Sequence, residues 1–380
     1  MPVPVLRSLA GAAFRKNPRR EFVPRAAFSP REVRFAAGRT SENGAVGVLR
    51  SRDTDGSVLT LVDAAALALV ESCARPRNDR GTDAMLARLV LDGALEVESA
   101  AGFVCGPAAF DTVVERFDPS GTGTIAALSH AAIAYGAALR TSEANDLSAR
   151  LYCYGRRPAS PRWRRTLPER DSVADLLDFR VGMPGSKSVR ATWQAKSARD
   201  GWFSWYRRKL GAGGASTAYK LYVSPVSEEL CATFPAIAAV LAESEAVSFK
   251  IGADAYGVLR PDKLVAYFPT LQSLHAAARA LAERLAGVTA QGVPFTCAIG
   301  DDGLLSWGSD PPSDSVARER ESWRLWITNR LADALLHAKA APSEAVPPET
   351  FALARVALDG VDPDTWTPVP RSPVRPDADH

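Results

Sequence analysis

Residues 247–268 read VSFKIGADAYGVLRPDKLVAYF. Two short β-like runs, VSFKIG and KLVAYF, enclose a turn-rich segment, and each carries a lysine, Lys250 or Lys263, where a charge is expensive to bury. A third such run, TAYKLYVS at 217–224, carries Lys220. Working outward from about Asp178, FRVGM, VRATWQA, GWFSWYRRKL and PFTCAIG add further strand signals. Two helical patterns interrupt them. PVSEELCATFPAIAAVLAESE opens with Ser224 as the cap and Pro225 at the first helical position, and LQSLHAAARALAERLAG presents Leu271, Leu274, Ala278, Leu281 and Leu285 on one face before Gly287. This predicts an α+β domain with a mainly antiparallel sheet, lacking the βαβα alternation and the Gly-rich fingerprint of a dinucleotide fold.

Upstream, EVRFA, AVGVLRS and SVLTLVD read as strands, DAAALALVESCA and TDAMLARLVLDGA as helices, and LEVESAAGFVCG as a hairpin. That order predicts a winged-helix-like α/β module over 31–110. Its second helix offers one Arg and two Asp where a DNA-reading helix needs several basic or polar groups, so a DNA-binding regulator is the weakest reading. The remaining divisions are a basic flexible arm at 1–30, a helical linker region at 111–175, the α+β domain at 176–340, ending in a helix around WRLWITNRLADALLHAK, and a Pro-rich, poorly ordered tail at 341–380. DPSGTGTIAALS at 118–129 imitates a calcium loop, but lacks its acidic third and fifth positions and its terminal Glu.

Composition narrows the function. The chain has 380 residues, 46% hydrophobic and 23% charged, and Lys+Arg 46 against Asp+Glu 43. No apolar run approaches the ~20 residues of a membrane span. Five cysteines without a C-x-x-C pair exclude a disulfide scaffold and common zinc spacings, and point to a reducing, cytoplasmic setting. The four histidines (His130, His275, His337, His380) lack metal-ligand company, so metal and Ser-His-Asp chemistry are not expected. Residues 151–210 carry fourteen basic side chains against five acidic ones, a balance suited to an anionic ligand. Only eight of the 46 basic residues are lysine. The plainer reading makes Lys220, Lys250 and Lys263 edge-strand lysines. The chemical one notes that lysine, unlike arginine, can lose its proton near neutral pH.

At AYKLYVSPVSEEL (218–230), VSFKIGADAYGVLRPDKLVAYF (247–268) and PFTCAIGDDGLLSWGSDP (294–311) the chain resembles the SpvC/OspF phosphothreonine lyases and the lyase components of lanthipeptide synthetases, above all the HopA-type effector-like lyases of class V (LanY-like) pathways. The 31–110 module also resembles, in pattern, the leader-peptide recognition element of enzymes that modify ribosomally made peptides. The first resemblance covers roughly residues 150–340. It implies a phosphothreonine-lyase-like fold and matches the family's Lys-x-His or Lys-x-Tyr strand at Lys220 and Tyr222, its base at Lys250 and its phosphate-binding arginine at Arg260. Tyr222 stands where the phosphothreonine lyases place the histidine that protonates the leaving group. Either a phenol does that work, or the step needs little acid, or the protein is a silent relative that only binds a peptide or protein.

Eliminating phosphate from phosphoserine or phosphothreonine needs a base at Cα and cations on the departing dianion, with neither metal nor cofactor. Lys250 has the character of that base if burial and neighbouring cations depress its pKa. Lys220 and Arg260 would bind phosphate, and Arg207, Arg324 and Arg330 are further phosphate candidates because a guanidinium fork suits phosphate oxygens. Trp202, Trp205, Trp323 and Trp326 read as core, and Asp301 and Asp302 as a turn. The implied partners are a phosphorylated precursor peptide, whose Ser and Thr become dehydroalanine and dehydrobutyrine, and a separate Ser/Thr kinase, since no kinase motif occurs here. No nucleic acid and no membrane are expected as partners.

Overall fold

The computed structural model describes residues 4–24, 45–52, 59–72, 80–167, 191–199, 201–208, 218–311 and 322–369, with single positions 27, 173 and 177. The expected strands EVRFA and FRVGM lie outside them. The chain opens with β1 (Val5–Leu6), β2 (Phe14–Lys16), β3 (Arg20–Pro24), β4 (Ala45–Ser51), β5 (Leu59–Asp63), α1 (Ala64–Ser72), α2 (Arg80–Leu91), β6 (Leu95–Ser99) and β7 (Gly102–Val104). Then come α3 (Phe110–Val113), β8 (Val114–Arg116), α4 (Thr124–Ala138), α5 (Ala144–Tyr152), α6 (Pro161–Thr166), β9 (Trp193–Arg199) and β10 (Trp202–Arg207). The remainder is β11 (Tyr219–Val223), α7 (Leu230–Glu243), β12 (Ser248–Gly252), α8 (Ala255–Val258), β13 (Leu264–Phe268), α9 (Leu271–Arg284), β14 (Cys297–Ile299), β15 (Leu305–Gly308), α10 (Trp323–Ala340) and α11 (Pro348–Leu358). Among the described residues no helix is long and apolar enough to cross a membrane.

Two compact units result, the first from residues 1–121, 133–152 and 311–380, the second from 122–132 and 153–310. In the first unit the basic N-terminal stretch is not a free arm. β1 pairs with β8, β2 with β6 and β3 with β4, because FRK and REFVP are short extended runs that satisfy their backbone groups on neighbouring strands. The Pro-rich tail is likewise structured as far as 369. In α11 the run Phe351–Ala357 is buried, and the helix packs on α10, which places α10 in the first unit and not with the sheet.

The second unit is built on a seven-stranded sheet, order β14-β15-β11-β13-β12-β10-β9, in which neighbouring strands run antiparallel. Side chains alternate across such a sheet. One face carries Leu221, Val223, Phe249, Ile251, Leu264, Ala266, Phe268, Trp205 and Leu305 into the core beneath α7 and α9. Trp205 stacks on Phe249 with centroids 4.9 Å apart, and Trp193 meets the same ring edge-on at 5.1 Å. α9 begins after its cap Thr270, whose hydroxyl accepts from Ser273 N. α7 starts five residues later than its Ser-Pro signal indicates. Ser224 Oγ donates to Pro261 O and Ser227 Oγ to Val258 O, so these hydroxyls tie the turn to the β12–β13 connection and do not cap a helix.

Candidate active site

The opposite face of the sheet is polar, and register fixes who shares it. Tyr222 is opposite Ser306 on one side and Val265 on the other, Val265 is opposite Lys250, and Lys250 is opposite Ser204. One step along, Lys220, Tyr267, Ser248 and Tyr206 form the adjacent row. Tyr222 and Lys250 lie two strands apart, about 10 Å between their Cα atoms. Tyr222 is buried at 3% exposure in a small cluster with Val265 and Val293, against which Trp202 and Tyr267 pack.

Trp202 gathers the charges. Its strand neighbour Gly252 offers no side chain, and Lys250 Nζ lies 4.3 Å from the indole centroid and 5.8 Å from the Tyr267 ring. The Arg260 guanidinium carbon lies 4.9 Å from the same indole, so two cations lie within cation–π range of one ring. Burial pushes the Tyr267 phenol well above its ordinary pKa, leaving it a neutral donor beside the lysine.

Arg260 is aimed by the turn that precedes β13. A Cβ at Gly252 would lie 2.3 Å from the backbone of Gly257, so the chain folds back onto the sheet at a contact only glycine permits. Asp254 Oδ1 accepts from Gly257 N at 2.6 Å, opening α8, and the Ser224 and Ser227 bonds hold the far side. Arg260 then makes a two-point pair with Asp262, Nε to Oδ1 and Nη2 to Oδ2 both at 2.8 Å. Lys220 Nζ is paired with Asp310 and also donates to Ser309 O at 3.3 Å. Asp262 is buried whereas the Asp310 side chain is 56% exposed.

One candidate on the sheet turns away from this face. Arg207 follows Phe203 and Trp205 in the alternation and so points to the core side. There its guanidinium donates to Ala246 O (2.7 Å), Ala242 O (3.3 Å), Leu241 O (3.0 Å) and Ser244 O (2.6 Å), closing the carbonyl end of α7. Phosphate binding by Arg207 is therefore corrected to helix capping. Replacing it by alanine is expected to cost about 2–4 kcal/mol in chemical denaturation, through lost charged hydrogen bonds, and to leave turnover per folded molecule unchanged. Arg324 and Arg330 belong to the first unit. Arg324 is buried, stacks on Tyr152 (4.4 Å) and donates to Tyr152 O, while Arg330 lies on Trp326 (3.8 Å) and pairs with Asp359.

No family model matches the chain, and no curated protein matches it. Among solved structures it is similar to the VirA (SpvC) phosphothreonine lyase effector of Chromobacterium violaceum, with 16% identity over 31% of this chain and 65% of that one, TM-score 0.27. It is similar to the type III effector/phosphothreonine lyase OspF from Shigella flexneri, with 17% identity over 39% and 88%, TM-score 0.29. A third similar structure is an effector protein from Pseudomonas syringae pv. tomato strain DC3000, with 12% identity over 65% and 99%, TM-score 0.38.

Lys220, Tyr222, Lys250 and Arg260 thus lie in one compact part of the fold, the first three on one sheet face and Arg260 brought to Trp202 by its turn. Sequence reasoning missed Trp202, assigned to the core, and Tyr267, Asp262 and Asp310. The even spacing of Trp202, Ser204 and Tyr206 against Phe203, Trp205 and Arg207 is the signal that separates site from core on β10. Of the other tryptophans, Trp205, Trp323 and Trp326 are buried as expected. Asp301 and Asp302 fall in the bend between β14 and β15, Asp302 Oδ1 accepting from Leu304 N.

Proposed function

We propose that the polar sheet face eliminates phosphate from phosphothreonine and phosphoserine in a ribosomally made precursor peptide. The supporting observation is the meeting of Lys250 and Arg260 on Trp202, with Lys220 and Tyr222 on the same face. Lys250 takes the Cα proton, the C–H electrons form the Cα=Cβ bond, the Cβ–O bond breaks, and phosphate departs into the field of Arg260 and Lys220. In this reading Tyr222 gives the leaving oxygen its proton. In such general acid–base work each group is worth about 10²–10⁴ in rate. The products are dehydroalanine and dehydrobutyrine, and a lanthipeptide-type pathway with its own Ser/Thr kinase supplies the phosphopeptide and acts as partner.

The test is mass spectrometry of a phosphothreonine peptide incubated with the purified chain, ideally the cognate precursor after its kinase. Loss of one phosphoric acid per phosphosite is expected. Tyr222→Phe is expected to slow this by about 10²-fold if the phenol is the acid. An unchanged rate would show that departure needs no acid from Tyr222.

A second reading is favoured by the two carboxylates. Asp262 and Asp310 already occupy the cations that phosphate would use, which suits a silent relative that binds a peptide without chemistry. Retention of phosphopeptide with its phosphate intact would select it.

A further inference from the structure

Of the three lysines in the β runs, Lys220 and Lys250 are taken up by the site, and Lys263 is not. It extends β13 by one residue, its carbonyl accepting from Gly252 N at 2.9 Å, and its side chain is fully buried. Its Nζ donates to Pro225 O and to Gln291 Oε1, both at 2.7 Å. Gln291 in turn donates through Nε2 to Gly155 O (2.8 Å) and Leu259 O (3.1 Å), so its amide is fixed on both sides.

The three segments joined at this amine are those that enclose Tyr222. Pro225 is three residues beyond Tyr222, Lys263 two before Val265, and Gln291 two before Val293, and these are the three members of the buried cluster. Resting on the lyase reading, we infer that Lys263 is a positioning residue for the acid end of the site, holding the Tyr222 strand, the Val265 strand and the Val293 loop in one arrangement through Pro225 and Gln291.

The arrangement suits a neutral amine. A neutral lysine has two N–H donors and here has two acceptors, whereas an ammonium brings a third donor for which no acceptor is found among the described residues. Burial pulls the pKa of Lys263 down from 10.5 to about 7. The charges facing it are Asp262, which raises it, Arg157, which lowers it, and Glu228, which raises it. Arg157 and Glu228 form an exposed pair at 3.2 Å. Protonation below neutrality would load the clamp with an unmatched donor, so turnover should rise with pH through the titration of Lys263.

The experiment measures kcat and KM against pH for the full chain on a phosphothreonine peptide. Lys263→Met is expected to lower kcat about tenfold, as slight misplacement of a reacting group does, with KM within about twofold, and to erase the limb that Lys263 contributes. Arg157→Glu should move that limb up in pH and Glu228→Lys should move it down. Both shifts should vanish in the Lys263→Met background. Unchanged kcat and an unchanged profile in a Lys263→Met protein that melts like wild type would overturn the inference, as would shifts that persist without Lys263. If Lys263→Met does not fold, the two surface variants and the ¹³Cε titration of the chain's eight lysines carry the test, and a limb that ignores both surface charges overturns it. Absence of turnover in wild type is a separate result, which removes the lyase reading and this inference together.

Discussion

Lys250→Gln is expected to lose elimination by about 10³-fold or more, the contribution of a positioned general base. The glutamine keeps most of the side chain's reach beside Trp202 but has no proton-accepting amine. Lys250→Arg should be equally inactive, although it preserves a cation over the indole, because a guanidinium does not give up its proton in the working range. Peptide capture should survive in both variants, since Arg260 and Lys220 remain. Single-turnover mass spectrometry with excess enzyme separates binding from chemistry. If Lys250→Arg retained turnover, Lys250 would be a phosphate contact and the base would have to be sought elsewhere on the face.

Arg260→Leu is expected to act on affinity and on folding at once. KM for the phosphopeptide should rise by about 10–100-fold, the worth of a charged hydrogen-bonded contact to phosphate. The same change strands Asp262, whose side chain is 4% exposed and whose two oxygens both bond Arg260. Leaving one partner of such a pair buried costs about 3–5 kcal/mol, so a clear drop in thermal midpoint should accompany the kinetic loss. Arg260→Leu with Asp262→Leu should recover most of the stability and none of the affinity. Asp262→Asn alone should loosen the hold on Arg260 and lower KM. A double variant that regained both properties would mean that the arginine serves only the fold.

How far these residues could be read from sequence depends on what alternation does and does not tell. The runs around Lys220, Lys250 and Lys263 are strands, and period-two spacing sets Lys220 with Tyr222 on one face. It says nothing of which strands become neighbours. The order β11-β13-β12-β10 is decided by packing across the whole unit, and it alone brings Trp202 and Tyr267 to Lys250. Arg207 was legible and misread, since its odd position on β10 marks the core side. Ser224 and Pro225 carry a good helix-start signal, but long-range bonds to the Arg260 turn use the hydroxyl first. The arginine-rich start reads as a flexible arm by its charge, yet it holds short extended runs that pair with β4, β6 and β8.

The first unit is assembled from both ends of the described chain, and this orders events during synthesis. Arg355 of α11 pairs with Asp92 at the end of α2, 263 residues earlier. Contacts of such separation form slowly, because the intervening loop must be closed before they reward the chain. The strands of the seven-stranded sheet, by contrast, all lie between residues 193 and 308 and can pair while the last helices are still being made. As the chain leaves the ribosome, the half that begins first finishes last: its strands find one another within the first 116 residues, but the end of α2 waits for α11 until after the sheet carrying Lys250 has been made.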